Sequence, residues 1–516
     1  MTKALAESYL RQSLNVPDAT FREGQWEAIQ ALVEDRKKLL VVQRTGWGKS
    51  SVYFISTKLL RERGYGPTII ISPLLALMRN QLVAAERLGV HAVTLNSTNE
   101  ADWDHIGQQV TADTVDCLLI SPERLSNEDF YNDVFTPMAE RIGLMVVDEA
   151  HCISDWGHDF RPDYRRILNI LQRMPPNMPV LGTTATANDR VINDITSQLG
   201  DLEVQRGPLA RESLALQTVK GLDTSRRLIW LSQVIKKQSS SGIVYVLTKR
   251  DALQVSAWLT QQGIASAAYY SGVRESGFED SNQYREHLED QLLSNELKVL
   301  VATTALGMGY DKPDLSFVIH FQAPGSIVGY YQQVGRAGRG ISHAVGVLLS
   351  GREDEKIHAF FRRSAFPTER QIKTVLEALE RFDGLTLREM EEAINLRNGQ
   401  IDKVLKLLSV ENPSPVLKEG NRWYRTSVPF RMDHDRIEHL TAQRETEWQE
   451  VQDYLTHDGC LMDYLRRSLD DPHSGPCGKC ANCVGHPILE GDADQQALIE
   501  ASLFLRHSEF LSSQKR

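Results

Sequence analysis

The sequence predicts an α/β fold made of two parallel-sheet lobes, followed by a mainly helical region. From the N-terminus to about residue 350, short β-branched runs alternate with segments of helical length. The runs are apolar at nearly every position, which is typical of parallel strands covered on both faces by helices. Beyond about residue 355, helical patterns replace these runs. We therefore expect two sheets and then a smaller helical part.

The predicted strands fall into two sets, one for each lobe. The first set comprises Lys38–Val42, Thr68–Ile71, Asp116–Ile120, Leu144–Val147 and Pro179–Leu181. The second set comprises Gly242–Leu247, Ser266–Tyr270, Lys298–Ala302, Ser316–His320 and Ala344–Leu349. The break between the sets predicts a first lobe over residues 1–205 and a second lobe over residues 206–355.

The helical region divides into three predicted segments. In residues 366–430, a capping-box pattern at Thr386 and a cap at Asn398 predict two helices, and Val416–Tyr424 has the pattern of a hairpin. This outline is that of a winged helix, although a helical spacer fits the same residues. Residues 431–490 predict a helical module that carries a cysteine cluster, and residues 491–516 predict a C-terminal tail with one helix.

Composition and charge exclude several classes of protein. An apolar content of 41% and a charged content of 24% are ordinary for a globular protein, and no apolar run approaches the ~20 residues of a membrane span. The N-terminus lacks the apolar core of a signal peptide, so we expect a cytoplasmic protein, associated with the nucleoid if bacterial. The net charge of -10 argues against coating DNA by bulk attraction but allows a local basic groove.

A glycine-rich segment, Thr45-Gly46-Trp47-Gly48-Lys49-Ser50, lies between the first predicted strand and a predicted helix. In that position glycine lets backbone N–H groups close around phosphate oxygens, and the helix N-terminus adds its dipole. We therefore expect Lys49 to reach the β- and γ-phosphates of a nucleotide and Ser50 to bind Mg²⁺. The strict pattern expects glycine where this chain has Gln43. We interpret Trp47 as a solvent-tolerant loop position in preference to a lid over the phosphates.

Two adjacent carboxylates, Asp148 and Glu149, follow the apolar run Leu144–Val147. A buried strand that ends in two acids delivers both to the edge of a sheet, where a nucleotide can bind. We expect Asp148 to hold Mg²⁺, and Glu149 to orient and deprotonate the attacking water. Together with the glycine-rich segment, the pair predicts a metal-dependent nucleotide site.

The second lobe contains two arginines that are three residues apart, Arg336 and Arg339. This spacing places both side chains on one helical face, so they can point at the same target. Across a cleft between the lobes they would neutralise charge on a transferring phosphoryl group, an effect of roughly 10³–10⁵ in rate. A solvated basic face is the alternative, and the glycines in this segment, which let backbones approach closely, disfavour it.

A loop rich in aromatic and cationic side chains follows the acidic pair without a spacer. It contains Trp156, His158, Phe160 and Arg161. Aromatic faces beside cationic groups stack on unpaired bases and hold them. One segment thus joins a nucleotide function to a nucleic-acid function, as expected of a motor.

Together these residues resemble the RecQ family of DNA helicases, in superfamily two, over roughly residues 15–355. The segment Phe21–Gln25 is similar to the family's adenine-recognition element, which implies that Arg22 and Gln25 contact adenine. The other matches are motif I at Thr45–Ser50, motif Ia at Ser72–Leu74 with Met78 and Gln81, motif II at Asp148–His151, motif III at Thr184–Ala187, motif V at Val301–Pro313 and motif VI at Gln332–Arg339. By this resemblance, His151 and Gln332 join the catalytic residues.

The chain departs from the family pattern at three positions. Arg44 and Trp47 stand where motif I usually has proline and glycine. Asp155 stands where glutamine is typical of the aromatic-rich loop, which leaves open how strongly this loop couples DNA contact to hydrolysis.

The resemblance implies two RecA-like lobes and ATP-driven 3′→5′ translocation on single-stranded DNA with strand separation, in DNA repair or recombination. ATP and Mg²⁺ are the implied cofactors, and single-stranded DNA and tailed or forked duplexes are the implied partners. We expect a monomer. An RNA-remodelling ATPase stays open because motif II also serves RNA enzymes. A double-strand DNA translocase without unwinding also stays open.

Four cysteines near the C-terminus have the spacing of a metal site. Cys460 is followed by Cys477, Cys480 and Cys483, and four thiolates suit a tetrahedral structural zinc. An iron–sulfur cluster also fits four cysteines, but the resemblance to the RecQ zinc module favours zinc. In that family the module usually precedes the winged helix, whereas here the winged-helix-like segment comes first. The usual duplex contacts are therefore not carried over.

Overall fold

A computed structural model describes residues 2–73, 82–95, 99, 102–127, 129–154, 167, 170, 171, 174, 175, 177–200, 202–307, 310, 312–409, 411, 413–472, 475–492 and 494–514. Over these residues the chain forms two sheet-based lobes and a helical region. No helix among them combines the length and the apolar character that a bilayer crossing requires.

The first lobe is built on a seven-stranded sheet with helices around it. Its strands are β1 Lys38–Val42, β2 Thr68–Ile71, β3 Ala92–Leu95, β4 Cys117–Ile120, β5 Leu144–Asp148, β6 Val180–Thr184 and β7 Glu203–Arg206. Their order in the sheet is β3-β4-β2-β5-β6-β1-β7, and every neighbouring pair is parallel. The helices are α1 Lys3–Leu14, α2 Gln25–Val33, α3 Lys49–Glu62, α4 Trp103–Thr111 and α5 Asp189–Leu199.

Successive residues of the central strands bury their side chains on opposite faces of this sheet. In β2, Ile69 and Ile71 belong to one apolar cluster and Ile70 belongs to the other. Because helices cover both faces, both sets of side chains leave water. This arrangement explains why the central strands are apolar at nearly every position.

The second lobe has a six-stranded sheet that is also parallel throughout. Its strands are β8 Leu214–Val219, β9 Gly242–Tyr245, β10 Ser266–Tyr269, β11 Val299–Ala302, β12 Phe317–His320 and β13 Ala344–Leu349. Their order is β10-β11-β9-β12-β13-β8. The helices are α6 Thr224–Lys237, α7 Lys249–Gln261, α8 Ser281–Leu293, α9 Ile327–Val334 and α10 Asp354–Arg363.

All the strands predicted from the sequence are present, and the prediction of two parallel-sheet lobes is confirmed. Three strands were not predicted, namely β3, β7 and β8, and each lies at the edge of its sheet. An edge strand packs on fewer neighbours, so its sequence carries a weaker apolar signal. In β7, Glu203 and Val204 are exposed, and the other two residues are only half-buried.

Residues 369–432 form a unit with an apolar core of its own. It contains α11 Glu369–Arg381, α12 Leu387–Ala393, α13 Asn398–Ser409 and the antiparallel strands β14 Val416–Glu419 and β15 Arg422–Arg425. The capping box at Thr386 is formed in both directions with Glu389. Leu385 forms a single antiparallel β-bridge with Trp423 at the side of the hairpin. The predicted helices and hairpin are therefore confirmed, and the winged-helix interpretation stays a prediction.

The remaining helices return to the second lobe. They are α14 His434–Thr456, α15 Leu461–Ser468, α16 Ala481–Val484 and α17 Gln495–Gln514. Trp448 and Tyr454 of α14 and Leu465 of α15 share one core with the second lobe. The predicted tail is one helix, as expected, and it packs on the same lobe, where the rings of Phe504 and Trp258 are 5.3 Å apart.

We expect the unit over residues 369–432 to unfold separately from the lobes. Leu405 is completely buried in its core, so Leu405→Ala should destabilise this unit by about 2–5 kcal/mol. Hydrogen exchange in rising urea should show faster opening of α11 to β15 with the two sheets unchanged. The matched control is Lys406→Ala, which removes an exposed pair with Asp402 from the same helix. Equal loss of protection in the sheets would contradict an independent unit.

Candidate nucleotide site and metal centre

The glycine-rich loop joins β1 to α3 and has the backbone conformation that only glycine adopts easily. Gly46 and Gly48 have φ of 81° and 99°, in the left-handed region. A Cβ atom on Gly48 would lie 2.6 Å from Nε2 of Gln25, so a larger residue would displace this side chain. Lys49 and Ser50 are the first two residues of α3. The free N–H groups at the start of this helix therefore border the loop.

The two predicted adenine contacts lie beside this loop. The amide oxygen of Gln25 accepts a hydrogen bond from the backbone N–H of Arg22 at 2.8 Å, and its amide nitrogen donates to the carbonyl of Trp47 at 2.8 Å. The Arg22 guanidinium donates to the carbonyl of Gly46. Arg22 and Gln25 therefore hold the glycine-rich loop, and their contact with adenine stays a prediction.

The interpretation of Trp47 as a solvent-tolerant position is wrong. Its side chain is only 5% exposed and belongs to an apolar core of the first lobe. The indole N–H donates to the carbonyl of Glu23 at 3.1 Å. Trp47 thus packs under the segment that contains Arg22, because an indole can bury its rings while its N–H finds an acceptor.

Gln43, which departs from the strict glycine pattern, lies outside the turn of the loop. Its backbone N–H donates to the carbonyl of Thr184, which continues the sheet beyond β1. Its side chain covers Gly207, where a Cβ atom would lie 2.1 Å from the Gln43 amide. A side chain is tolerated at position 43 because it points toward Gly207.

Asp148 and Glu149 lie at the carboxyl end of β5, and both are at least nine-tenths buried. One Asp148 carboxylate oxygen accepts hydrogen bonds from the Thr183 hydroxyl at 2.6 Å and the Glu149 N–H at 3.0 Å. Burial and, next, the Glu149 carboxylate raise the pKa of Asp148, while Thr183 and Lys49 oppose this rise. A cation between these acids would be strongly favoured because it would offset the cost of burying them.

Lys49 shares this site with the two acids. Removal from water lowers the pKa of the Lys49 ammonium, whereas the Glu149 and Asp148 carboxylates raise it. Arg339 from the second lobe lowers it further. The ammonium of Lys49 therefore lies within electrostatic reach of two carboxylates of its own lobe and of a guanidinium from the opposite lobe.

His151 connects the acidic pair to the next strand. One of its ring nitrogens lies 2.9 Å from the Thr184 hydroxyl and 3.3 Å from a Glu149 carboxylate oxygen. Glu149 itself has φ of 52°, a left-handed conformation that is uncommon outside glycine. The strand end therefore holds Glu149 in a strained backbone position beside His151.

Three direct contacts close the cleft between the lobes. The Thr45 hydroxyl donates to the carbonyl of Gly335 at 3.2 Å, and the Gln332 amide donates to the Thr186 hydroxyl at 2.6 Å. Arg211 donates to the carbonyl and hydroxyl oxygens of Thr45 at 2.8 and 2.9 Å. The glycine-rich loop is thus contacted from the second lobe and from the connector that leads to it.

The expectation that Arg336 and Arg339 share a helical face is wrong. Helix α9 ends at Val334, and both arginines lie in the turns that follow, where Gly338 has φ of 72°. Arg336 is 5% exposed and donates to the carbonyls of Gly307 and Tyr310 at 2.6 and 3.2 Å. Arg339, by contrast, interacts with Lys49 across the cleft.

The sequence of this nucleotide site has clear relatives. Residues 22–195 match the DEAD/DEAH box helicase family, and residues 226–340 match the helicase conserved C-terminal domain. The chain is 34% identical over 356 residues to the ATP-dependent DNA helicase RecQ of Bacillus subtilis. The chain belongs to the RecQ family. The alignment covers 68% of this chain and 57% of the length of that relative.

A second relative of this RecQ-family chain matches almost end to end. It is the probable ATP-dependent DNA helicase RecS of B. subtilis, 28% identical over 90% of this chain and 89% of its own length. Among solved structures, the DNA-bound DUF1998 helicase MrfA superimposes with a TM-score of 0.55 at 16% identity. That likeness covers 84% of this chain and 63% of MrfA, and it supports the fold.

Two arginines at this RecQ-family site were not predicted from the sequence. Arg44, already noted as a departure from motif I, donates to the carbonyl of Ala210 at 3.0 Å. Arg211 holds Thr45 from the connector between the lobes. No local pattern marks either contact, because each joins segments that are 166 residues apart in the chain.

The predicted DNA contacts lie outside the residues that the structure describes. These are Trp156, His158, Phe160 and Arg161, together with Asp155 in the same loop. The described chain ends on one side of this loop at Ser154, whose hydroxyl donates to Asp194 at 2.5 Å. The role of the loop therefore stays a prediction.

The four predicted metal ligands come together in one cluster. The sulfur atoms of Cys460, Cys477, Cys480 and Cys483 all lie within 4.8 Å of one another. Tetrahedral Zn–S bonds of about 2.3 Å would place sulfur atoms about 3.8 Å apart, so one ion fits this spacing. An iron–sulfur cluster would spread its thiolates farther apart, because they bind two different irons in a [2Fe–2S] cluster and four in a [4Fe–4S] cluster. Cys460 is the N-cap of α15.

Hydrogen bonds favour a thiolate at Cys460, whereas burial raises the pKa of Cys477, Cys480 and Cys483. The Cys460 sulfur accepts the backbone N–H groups of Cys477 and Asp463, at 3.1 and 3.4 Å. Burial raises the pKa of Cys460, but these hydrogen bonds outweigh it and lower the pKa overall. The two cysteines outside the cluster, Cys117 and Cys152, are completely buried, as expected of structural thiols.

Loss of one ligand should release the metal from the cysteine cluster. Cys480 is completely buried in the core shared with the second lobe, so Cys480→Ser should lower both the metal content and the unfolding temperature. Structural zinc contributes on the order of 10 kcal/mol to folding in isolated modules. Elemental analysis and calorimetry measure the two effects. The control is Cys117→Ser, a buried thiol on β4, which should keep the metal. Full metal retention by Cys480→Ser would contradict the four-ligand site.

Proposed function

We propose that this chain is an ATP-dependent 3′→5′ DNA helicase that couples ATP hydrolysis to movement along single-stranded DNA and to duplex unwinding. The observation that carries the proposal is the closed cleft, in which Thr45 contacts Gly335 and Arg339 of the second lobe lies within electrostatic reach of Lys49, which itself interacts with Asp148 and Glu149. Charges from both lobes at one phosphate-binding loop make hydrolysis depend on the lobes being closed. The names of both B. subtilis relatives support DNA as the substrate.

In this proposal the first lobe binds the nucleotide. Thr45, Gly46 and Gly48 supply the backbone around the phosphates, Lys49 contacts the β- and γ-phosphates, and Arg22 with Gln25 contacts adenine. Ser50 and Asp148 would hold Mg²⁺. An oxygen donor set of one hydroxyl and one buried carboxylate fits this hard cation, which would neutralise phosphate charge.

The chemical step is assigned to residues around the acidic pair. Glu149 orients the attacking water and accepts its proton, and His151 holds the Glu149 carboxylate in place. Arg339 stabilises charge on the transferring phosphoryl group from the second lobe. Arg336 fixes the segment after β11 through the carbonyls of Gly307 and Tyr310. Gln332 contacts the Thr186 hydroxyl of the first lobe when the cleft is closed.

The DNA-binding residues and the domain limits are part of the same proposal. Trp156, His158, Phe160 and Arg161 stack on and hold bases of the translocated strand. The unit over residues 366–430 acts as a winged helix, supported by three helices and a hairpin around one core. The four cysteines hold a structural zinc in residues 431–490.

Removal of either charge from the first lobe should stop ATP hydrolysis. Lys49→Ala removes the phosphate contact, and Glu149→Gln removes the base, so each should lower kcat by about 10²–10⁴-fold. The measurement is steady-state phosphate release with saturating single-stranded DNA. Lys58→Ala is the control, because it removes only a surface pair with Glu62 from the same helix. Normal hydrolysis by either site variant would refute the assignment.

Unwinding should depend on the polarity of the single-stranded tail. A duplex with a 3′ tail should be unwound faster than the same duplex with a 5′ tail, because the proposed motor tracks one strand in one direction. A strand-displacement assay with labelled oligonucleotides measures both rates. Equal rates would exclude the polarity, stimulation by RNA alone would favour an RNA-remodelling ATPase, and hydrolysis on blunt DNA without displacement would favour a duplex translocase.

A further inference from the structure

A turn in the cysteine module, residues 431–490, contacts both the first lobe and the connector between the two lobes. The connector, residues 207–213, runs from the end of β7 to the start of β8. The turn follows α15 and contains Asp470 and Asp471. Because α14 and α15 share a core with the second lobe, this turn moves with that lobe.

Asp470 contacts the first lobe through both its side chain and its backbone. Its carboxylate accepts the backbone N–H of Asp189 at 2.8 Å, at the first residue of α5. Its carbonyl accepts a hydrogen bond from the Arg206 guanidinium at 2.9 Å. A carboxylate at a helix N-terminus is favoured by the helix dipole, so the first contact is charge-assisted.

The Arg206 guanidinium donates hydrogen bonds both to the Asp470–Asp471 turn and to the first lobe. Besides the Asp470 carbonyl, it donates to the Asp189 carboxylate and to the Ala187 carbonyl, each at 2.8 Å. Ala187 follows directly after Thr186, which contacts Gln332 of the second lobe. The guanidinium therefore ties the turn to the segment that meets the second lobe at the nucleotide cleft.

Asp471 holds the connector itself. Its carboxylate accepts the backbone N–H of Leu209 at 2.9 Å, and the Tyr331 hydroxyl donates to the carbonyl of the same residue. Asp471 is 6% exposed, and Leu209 is completely buried. Both backbone groups of Leu209 are thus bonded to the body that contains the second lobe.

Opposite charges also link the first lobe to α14. Arg190, the residue after Asp189, lies within electrostatic reach of Glu447 and Glu450. The first turn of α5 is therefore contacted by the cysteine module through a backbone hydrogen bond and through opposite charges.

The junction lies close to the phosphate-binding loop. Arg206 is the register partner of Val42, the last residue of β1. The backbone N–H of Gly207 donates to the Val42 carbonyl at 3.1 Å, and the glycine-rich loop begins three residues later, at Thr45. A displacement of Arg206 would therefore be transmitted to the loop through the sheet.

We propose that Asp470, Asp471 and Arg206 are positioning residues for ATP hydrolysis, which hold the first lobe at the angle at which Thr45 contacts Gly335 and Thr186 contacts Gln332. This inference rests on the proposed ATPase function. The residues touch neither nucleotide nor metal, and they act on the fraction of molecules in the closed arrangement. If that fraction falls, the apparent affinity for ATP falls by the same factor, while molecules that close still hydrolyse at the normal rate.

Two variants of Asp470 distinguish the contribution of its carboxylate from that of its backbone carbonyl. Asp470 has φ of 53°, which glycine and asparagine tolerate well. Asp470→Gly removes the acceptor without left-handed strain, whereas Asp470→Asn keeps an acceptor oxygen and serves as the conservative rescue. Arg206→Ala removes the guanidinium of the first lobe that donates to the Asp470 carbonyl. Glu203→Ala is its control, because it removes a pair with Lys37 from the same strand within one lobe.

The experiment uses the full chain with its bound metal. Asp470→Gly and Arg206→Ala should raise the KM for ATP about three- to tenfold, with kcat changed less than about twofold, as expected for a lost charge-assisted hydrogen bond. Hydrogen exchange should quicken in the first turn of α5 and in the connector. Metal content should stay unchanged, and Asp470→Asn and Glu203→Ala should match the parent protein.

Three results would overturn the proposal. The first is an unchanged KM for ATP together with unchanged hydrogen exchange in Asp470→Gly and Arg206→Ala. The second is a rise of KM in Asp470→Asn as large as in Asp470→Gly. The third is a loss of kcat without a change in KM. Failure of the proposed function looks different, because the parent protein would then not hydrolyse ATP at all. In that case the exchange rates of α5 and the connector still decide whether the turn holds the lobes together.

Discussion

The two lobes meet at a cleft where positive charges from both lie near two buried carboxylates of the first lobe. Lys49, Asp148 and Glu149 come from the first lobe and Arg339 comes from the second. Buried charges are costly unless partners and hydrogen bonds offset the loss of water, so none of these groups is stable there alone. Lys49 and Arg339 carry the same charge, so an anion between them would favour the closed arrangement of the lobes. A bound nucleotide would add phosphate charge to this balance, which is how a small ligand can control the arrangement of two large bodies.

The second lobe includes helices from the C-terminal region as well as its own sheet. Helices α14 and α15 share its core, and α17 packs on its outer face. The cysteine cluster begins at the N-cap of α15, so a bound metal would stiffen the element that continues into the Asp470–Asp471 turn. Metal, helices and sheet then form one body. The unit over residues 369–432 is inserted between α10 and α14, and its separate core lets it keep its own stability without breaking that body.

Prediction from the sequence was most successful where local patterns reflect burial. The central strands are apolar on both faces, and their positions followed from that pattern alone, whereas the edge strands β3, β7 and β8 did not. The glycine-rich loop and the acidic strand end were recognised because backbone geometry demands those residue types at those spacings. The place of Trp47 was mispredicted because its core partners, such as those in α2, do not adjoin it in the chain. The helical face of Arg336 and Arg339 was mispredicted because α9 ends at Val334.

The sequence by itself determined the two-lobe α/β fold, the residues of the candidate nucleotide site and the four clustered cysteines. These follow from periodicity, from glycine at positions of unusual backbone geometry and from the spacing of chemically reactive side chains. Only the tertiary structure decided that Arg339 faces Lys49 while Arg336 binds backbone carbonyls. The tertiary structure also decided that Asp470 meets Asp189 across 281 residues of chain. Such contacts depend on how rigid bodies pack, and no local pattern in a chain encodes the partner of a residue so distant in sequence.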